Sequence, residues 1–219
     1  MKLHQTLLAI LVSILCITPV LSETIEELRE KAEKGYVYAQ LMLGLAYGRG
    51  EVVPEDKAES VKWYRKAADQ GNVAAQCHLG SVYWKGEGVP EDKAESVKWY
   101  RKAADQGDAA AQTGLGGAYA TGNGVPKDVA ESVKWFRKAA EQGEAIAQYM
   151  LGISYSDGFG VPENYIQAYM WYNLASAQGI EEAKTKKVKL DQKMTKEQIA
   201  EAQKLSTQWF ERKAKEKKK

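Results

Sequence analysis

The chain repeats itself every 36 residues. Glycines stand at Gly35, Gly71, Gly107, Gly143 and Gly179, prolines at Pro54, Pro90, Pro126 and Pro162, and tryptophans at Trp63, Trp99, Trp135 and Trp171. A fixed period of this length is the mark of a solenoid, in which copies of one small unit stack and bury each other's apolar faces. The expected product of such an array is a surface rather than a reaction centre. With 44% hydrophobic and 27% charged residues, the chain has material for both a core and a hydrated exterior.

Each copy reads as two helices. In residues 36–71, Tyr36 to Tyr47 has helical composition, with Ala39, Leu43 and Tyr47 four apart on one face. Gly48-Arg49-Gly50 ends it, and Pro54 belongs to the turn because it has no amide proton to give a helix. Asp56 caps a second helix, and Glu59 three residues on completes the pattern of a capping box. Asp92…Glu95, Asp128…Glu131 and Asn164…Gln167 repeat that chemistry. The second helix runs to Gln70 and stops at Gly71. Ala58, Val61, Trp63, Tyr64, Ala67 and Ala68 form its apolar face, while Glu59, Lys62, Arg65 and Lys66 turn to solvent. Gly44 returns as Gly80, Gly116 and Gly152. A helical glycine costs roughly 1 kcal/mol against alanine, so its return implies that it receives a neighbour's bulky ring.

The ends read as caps. Thr24…Glu27 opens a half-repeat helix that ends at Gly35. Ile199, Ala202, Leu205 and Trp209 form a stripe able to close the last open face, behind a Thr195…Gln198 cap, and Lys213 to Lys219 form a basic tail expected to fray. The expected fold is an all-α solenoid of stacked antiparallel helix pairs. Its parts are a half-repeat at 23–35, repeats at 36–71, 72–107, 108–143 and 144–179, and C-terminal capping helices with the tail at 180–219.

Residues 1–22 read as a signal peptide. Lys2 and His4 precede an apolar run from Leu7 to Leu15, Pro19 follows, and Val20 and Ser22 occupy the −3 and −1 positions of a cut after Ser22. The run falls short of the ~20 residues that span a bilayer, so no stable membrane span is expected after cleavage. The expectation is an exported bacterial protein, periplasmic or secreted. Cleavage leaves Cys77 as the single thiol, which excludes an internal disulfide framework.

Motifs that suggest chemistry have plainer readings. Gly-x-Gly before a helix is followed by proline where a phosphate loop has lysine, so it is an inter-helix turn. Cys77 and His78 are adjacent and point about 100° apart on a helix. With no other cysteine or histidine in the mature chain, neither a zinc site nor a catalytic pair is expected, and no cofactor. The periodic Trp and Tyr residues belong to the core, so no nucleic-acid stacking platform is expected.

The pattern A-Q-x-x-L-G-x-x-Y, G-x-G-V-P-x-D, A-x-x-x-W-Y/F-x-K-A-A-x-Q-G resembles the Sel-1-like repeat, a relative of the tetratricopeptide repeat. Ala39-Gln40, Leu43-Gly44 and Tyr47 carry it in the first copy, and Gly86-Glu87-Gly88-Val89-Pro90 in the second. Residues 168–175 resemble the divergent last repeat of such proteins, and 194–203 their closing helix. One departure is Val52, where later copies have Gly88, Gly124 and Gly160, which implies a looser first loop. Some secreted members carry a disulfide pair in each repeat and are linked to β-lactam binding; that cysteine framework is absent here.

The resemblance also implies a right-handed superhelix in which the first helix of each pair lines a concave groove. The candidate partner-binding residues on that stripe are Tyr38, Leu41, Leu45, Ala74, Cys77, Ser81, Trp84, Thr113, Ile146, Tyr149 and Ile153. They differ in every copy while the framework stays nearly constant. The expected function is therefore a non-enzymatic scaffold for an unidentified protein or peptide. The alternatives are a cell-envelope enzyme or binder acting on peptidoglycan or β-lactams, and a secreted effector engaging a host protein.

Overall fold

The computed structural model describes residues 24–216; the expected signal peptide at 1–22 lies outside them. Eleven helices follow one another among the described residues: α1 (Ile25–Glu33), α2 (Val37–Arg49), α3 (Lys57–Asp69), α4 (Val73–Lys85), α5 (Lys93–Asp105), α6 (Ala109–Thr121), α7 (Val129–Gln142), α8 (Ala145–Asp157), α9 (Tyr165–Ala177), α10 (Glu181–Asp191) and α11 (Lys196–Glu216). From α1 to α10 each helix packs on its sequence neighbours, as a stacked solenoid requires, and α11 packs back on α9.

The core is a chain of clusters that straddle the repeat junctions. One cluster joins Val61 and Tyr64 of α3, Ala75 and Leu79 of α4, and Trp99 of α5. The next joins Val97 and Ala103 of α5, Leu115 of α6 and Trp135 of α7. Each periodic tryptophan thus reaches back to seal the preceding junction. A lysine one turn on covers its outer face: the ammonium groups of Lys66, Lys102 and Lys138 lie 4.0, 3.9 and 3.9 Å above the rings of Trp63, Trp99 and Trp135.

The helical glycines do receive rings. A Cβ at Gly44, Gly80, Gly116 or Gly152 would lie 2.5, 2.4, 2.7 or 2.3 Å from an atom of Tyr64, Tyr100, Phe136 or Tyr172. Beside this contact, Ser60, Ser96 and Ser132 donate to the carbonyls of Gly44, Gly80 and Gly116 at 2.6, 2.6 and 2.7 Å. The left-handed Gly88, Gly124 and Gly160 have a different cause. There a Cβ would strike the backbone of Lys57, Lys93 or Val129, at the start of the preceding repeat's second helix. Val52 is exposed and meets no such helix start among the described residues, because α1 begins at Ile25, the equivalent of Val61. Among the described residues, the missing glycine goes with a missing neighbour.

A glutamine ladder ties the copies together. Buried Gln40, Gln76, Gln112 and Gln148 donate to the carbonyls of Ala32, Ala68, Ala104 and Ala140 at 3.0–3.2 Å, near the end of the preceding helix. Each accepts in turn from Gln70, Gln106, Gln142 or Gln178 at 2.7–2.9 Å. These bonds satisfy carbonyls that a helix terminus leaves unpaired.

Three expectations need correction. The caps at Asp56, Asp92 and Asp128 are half-boxes: each aspartate accepts from the N3 amide, but Glu59, Glu95 and Glu131 turn outward to Lys62, Lys98 and Lys134. The reason is that each cap amide already donates to the carbonyl of Tyr47, Tyr83 or Tyr119, leaving the glutamate no donor. Reciprocal boxes form where that tie is absent, at Thr24…Glu27 and Thr195…Gln198. Ala58 is exposed, not part of the buried face. The C-terminal helix continues to Glu216 instead of fraying at Lys213.

The last repeat diverges because it is covered. Ser60, Lys62 and Lys66 become Ala168, Met170 and Leu174, all buried. Leu174 and Met170 join Trp171, with Leu205 and Trp209 of α11 packed on them. On the other side α10 and α11 add Ala183, Leu190 and Ala202. The two lysine positions, which face water in earlier copies, face protein here.

Candidate functional site

Helix α2 buries Ala39, Gln40, Leu43 and Gly44. At 3.6 residues per turn its opposite face centres on Tyr38, Leu45 and Arg49. Leu41 flanks this face on the side of the next repeat and Met42 on the other side. The same holds for α4, α6 and α8. The first helices also lie on the inside of the curve at the middle of the array, where α4 touches α6 directly across α5. Gly80 of α4 and Gly114 of α6 press on opposite sides of the Tyr100 ring there.

The candidate residues divide into two groups. Tyr38, Ala74 and Ile146 are exposed, with Tyr38 at 69% and Ile146 at 53%. Leu45, Ser81 and Ile153 lie at mid-face and are half-buried. The others turn into the seams between repeats. Leu41, with Leu45, packs on the cluster of α3–α5, and Cys77 and Trp84 pack on that of α5–α7. Thr113 Oγ1 lies 3.2 Å from a carboxylate oxygen of Glu144 and 2.9 Å from the Ala109 carbonyl. Tyr149 sits 5.9 Å from the Tyr172 ring. Trp84 is half-buried, its ring capped by the Lys93 ammonium at 4.5 Å.

The open face holds a further rung that the stripe read from sequence passed over. Arg49, Lys85, Thr121 and Asp157 occupy this outer rung, and all are exposed. The face thus runs from basic to acidic along the array. The signal was present: four residues past position 45 returns to the same face. Another set escaped notice in the sequence. Arg29, Arg65, Arg101 and Arg137 donate to the hydroxyls of Tyr47, Tyr83, Tyr119 and Tyr155, each 18 residues on. In the last copy Asn173 replaces the arginine and accepts from Lys187 of α10 at 2.9 Å.

Cys77 and His78 part company as expected for adjacent helical residues. Burial first, and then the Asp108 carboxylate, push the Cys77 thiol up to about 12. A thiol held protonated is a poor nucleophile and a poor metal ligand. His78 stacks on Tyr64, with centroids 4.8 Å apart and planes 12° apart. Burial lowers its pKa, Arg49 adds to that, and Asp108 opposes it. Among the described residues, no three His, Cys, Asp or Glu side chains gather as a metal would need. No helix among them is long and apolar enough to cross a membrane.

Comparison with known proteins places this architecture. The Sel1 repeat model matches residues 37–72, 73–108, 109–144 and 145–180, most of the chain. The chain belongs to the Sel1 repeat family. Members of the Sel1 family typically serve as protein-interaction scaffolds. A crystal structure of a protective antigen present in uropathogenic Escherichia coli strains displaying an SLR fold is similar at 46% identity and TM-score 0.72, over 74% of this chain and 35% of that one. A Sel1 repeat protein from Oxalobacter formigenes is similar at 35% identity and TM-score 0.69, over 73% of this chain and 63% of that one. The chain thus spans about a third and under two-thirds of the lengths of these two relatives. No curated protein matches it.

Proposed function

We propose that this Sel1 repeat protein is an exported, non-catalytic scaffold that binds a protein or peptide along the open faces of α2, α4, α6 and α8. One observation carries the reading. Outside the covered last helix, positions that hold the array together are filled by the same or equivalent residues from copy to copy, whereas the open face is filled by a different set each time. That face holds Tyr38 and Ile146, two large apolar side chains standing in solvent with no packing role to explain them. Aromatic side chains on accessible faces are the commonest anchors of protein interfaces. Export rests on the sequence of residues 1–22. The antigen character of the E. coli relative supports it, since an antigen that protects is one the host meets.

Photo-crosslinking tests the surface. Benzoylphenylalanine placed at position 38 and at position 146 is expected to capture the same protein from an envelope extract, and at Lys98, exposed on α5, to capture none. Equal capture at Lys98, or none at the two face positions, overturns the reading. Mass spectrometry of the envelope fraction tests export, with Glu23 as the expected first residue and an intact Met1 as the contrary result.

A further inference from the structure

The first seam between repeats holds a charged cleft that the later seams lack. It opens between α2, α3 and α4, with a volume of about 230 Å³, and Arg49, Lys57, Lys85 and His78 line it together with Ser60 and Tyr64. It exists because of Gly48. A Cβ built there would lie 3.0 Å from Ser60 Oγ and 3.6 Å from the Tyr64 hydroxyl, so glycine keeps open the space beside them. One repeat on, the same position is Trp84. Lys93, the equivalent of Lys57, lies over that ring and donates to the Trp84 carbonyl. The second seam therefore fills its own cleft with a tryptophan and a lysine. At the third seam Arg49, Lys57 and Lys85 are replaced by Thr121, Val129 and Asp157, and no cation remains at those positions.

The charges in the first cleft are poorly spent within the protein. Lys57 faces Glu55 at 3.6 Å and Lys85 faces Glu87 at 3.9 Å, long exposed pairs of the kind that contribute little. Arg49 forms no ion pair among the described residues. Three full cations line the cleft against one carboxylate, that of Glu87. The stacked His78 and Tyr64 rings form part of its wall, and Leu45 brings an apolar surface to its edge. A guanidinium suits the planar, two-oxygen geometry of a carboxylate.

We propose that this cleft seats an acidic side chain of the peptide partner, with Arg49 as the principal contact. The inference rests on the scaffold reading above and fixes the chemistry of one end of its ligand. The charged residue enters at the first seam, and its neighbours run along Tyr38 and Leu45.

Acetylated tetraglutamate amide, acetylated tetraglutamine amide and orthophosphate are titrated separately into the protein, following the His78 imidazole resonances by NMR. Tetraglutamate is expected to shift them, tetraglutamine not, and added salt to weaken the effect. Arg49→Gln is expected to weaken tetraglutamate binding by about tenfold or more. Gly48→Trp, which copies the second repeat, is expected to abolish it. Lys204→Gln, which removes one exposed charge from α11, leaves it unchanged. Melting curves separate lost binding from lost fold, and the exposed Arg49→Gln carries the test if Gly48→Trp fails to fold. Orthophosphate binding as tightly as tetraglutamate would make the cleft a free-anion site and overturn the peptide assignment. No response to tetraglutamate, or equal weakening by Lys204→Gln, overturns the cleft itself. If a partner crosslinks at position 38 and Arg49→Gln holds it at full strength, the cleft inference fails while the scaffold reading stands.

Discussion

Two helical glycines in adjacent repeats should respond to alanine with opposite signs. Gly80 lies in α4, and a Cβ there would sit 2.4, 2.6 and 2.7 Å from Cδ1, Cε1 and Cγ of Tyr100. Carbons rest about 3.5–4.0 Å apart, so the ring would have to move by about 1 Å. It has nowhere to go: a Cβ at Gly114, on its other side, would already lie 2.9 Å from Cε2 and Cζ. Overpacking of this kind costs about 1–3 kcal/mol, and a ring hemmed in along both edges belongs at the upper end. Alanine returns about 1 kcal/mol of helix propensity, which leaves Gly80→Ala destabilised by about 2 kcal/mol. Gly117 in α6 has nothing within 4 Å of its Cβ position, so Gly117→Ala keeps the propensity gain and is stabilised by about 1 kcal/mol. The two variants should differ by about 3 kcal/mol, or roughly 6–12 °C in Tm for a chain of this length. Urea and thermal unfolding followed by circular dichroism measure both. If Gly80→Ala gains stability as Gly117→Ala does, the ring is not clamped between α4 and α6, and the account of why these helices meet is wrong.

The buried Trp99→Ala should lose roughly 3–5 kcal/mol in urea unfolding, because it empties the junction of α3, α4 and α5; half-buried Trp84→Ala should lose clearly less, and equal losses would refute the distinction. Iodoacetamide at pH 8 should modify Cys77 slowly in the folded protein and quickly in urea, as followed by mass spectrometry, since burial pushes the folded thiol up to about 12. His78 has its pKa lowered on folding, so below about pH 6.5 the unfolded chain takes up the proton first. Stability should therefore fall with pH from about 6.5 down through the lowered value and level off below it. His78→Phe, which keeps the stack on Tyr64, should remove that part of the pH profile, and an unchanged difference between the two proteins across the range would refute it.

The fold was legible because its determinants are periodic. Gly44 and its equivalents, the tryptophans and the capping aspartates each announce themselves by returning at the same interval, and a contact needed in every copy cannot hide in one. The half-boxes were not legible, because nothing in Asp56…Glu59 shows that the Asp56 amide is already committed to Tyr47. The Arg–Tyr pairs repeat just as faithfully, but their partners lie 18 residues apart, across a loop whose path fixes the contact. The open face was only partly legible for the opposite reason. A side chain free to vary has no repeat to be measured against, and whether Trp84 looks outward or into the seam depends on Lys93 and on α5. The cleft was least legible of all. It is made by a small residue at Gly48 and by charges at Arg49, Lys57 and Lys85 that only packing brings together.

The glutamine, serine and arginine bonds span the same number of residues in every copy in which they occur. Within the internal array, the chain has no privileged seam. A segment of 36 residues removed or added at any phase, in mid-helix as readily as in a turn, restores every one of these separations on both sides of the cut. Such a protein can change length by recombination between its own copies without inventing a single new interface. Its reach would then grow or shrink in whole steps, and each event would carry the distance between Arg49 and the closing helix to the next rung.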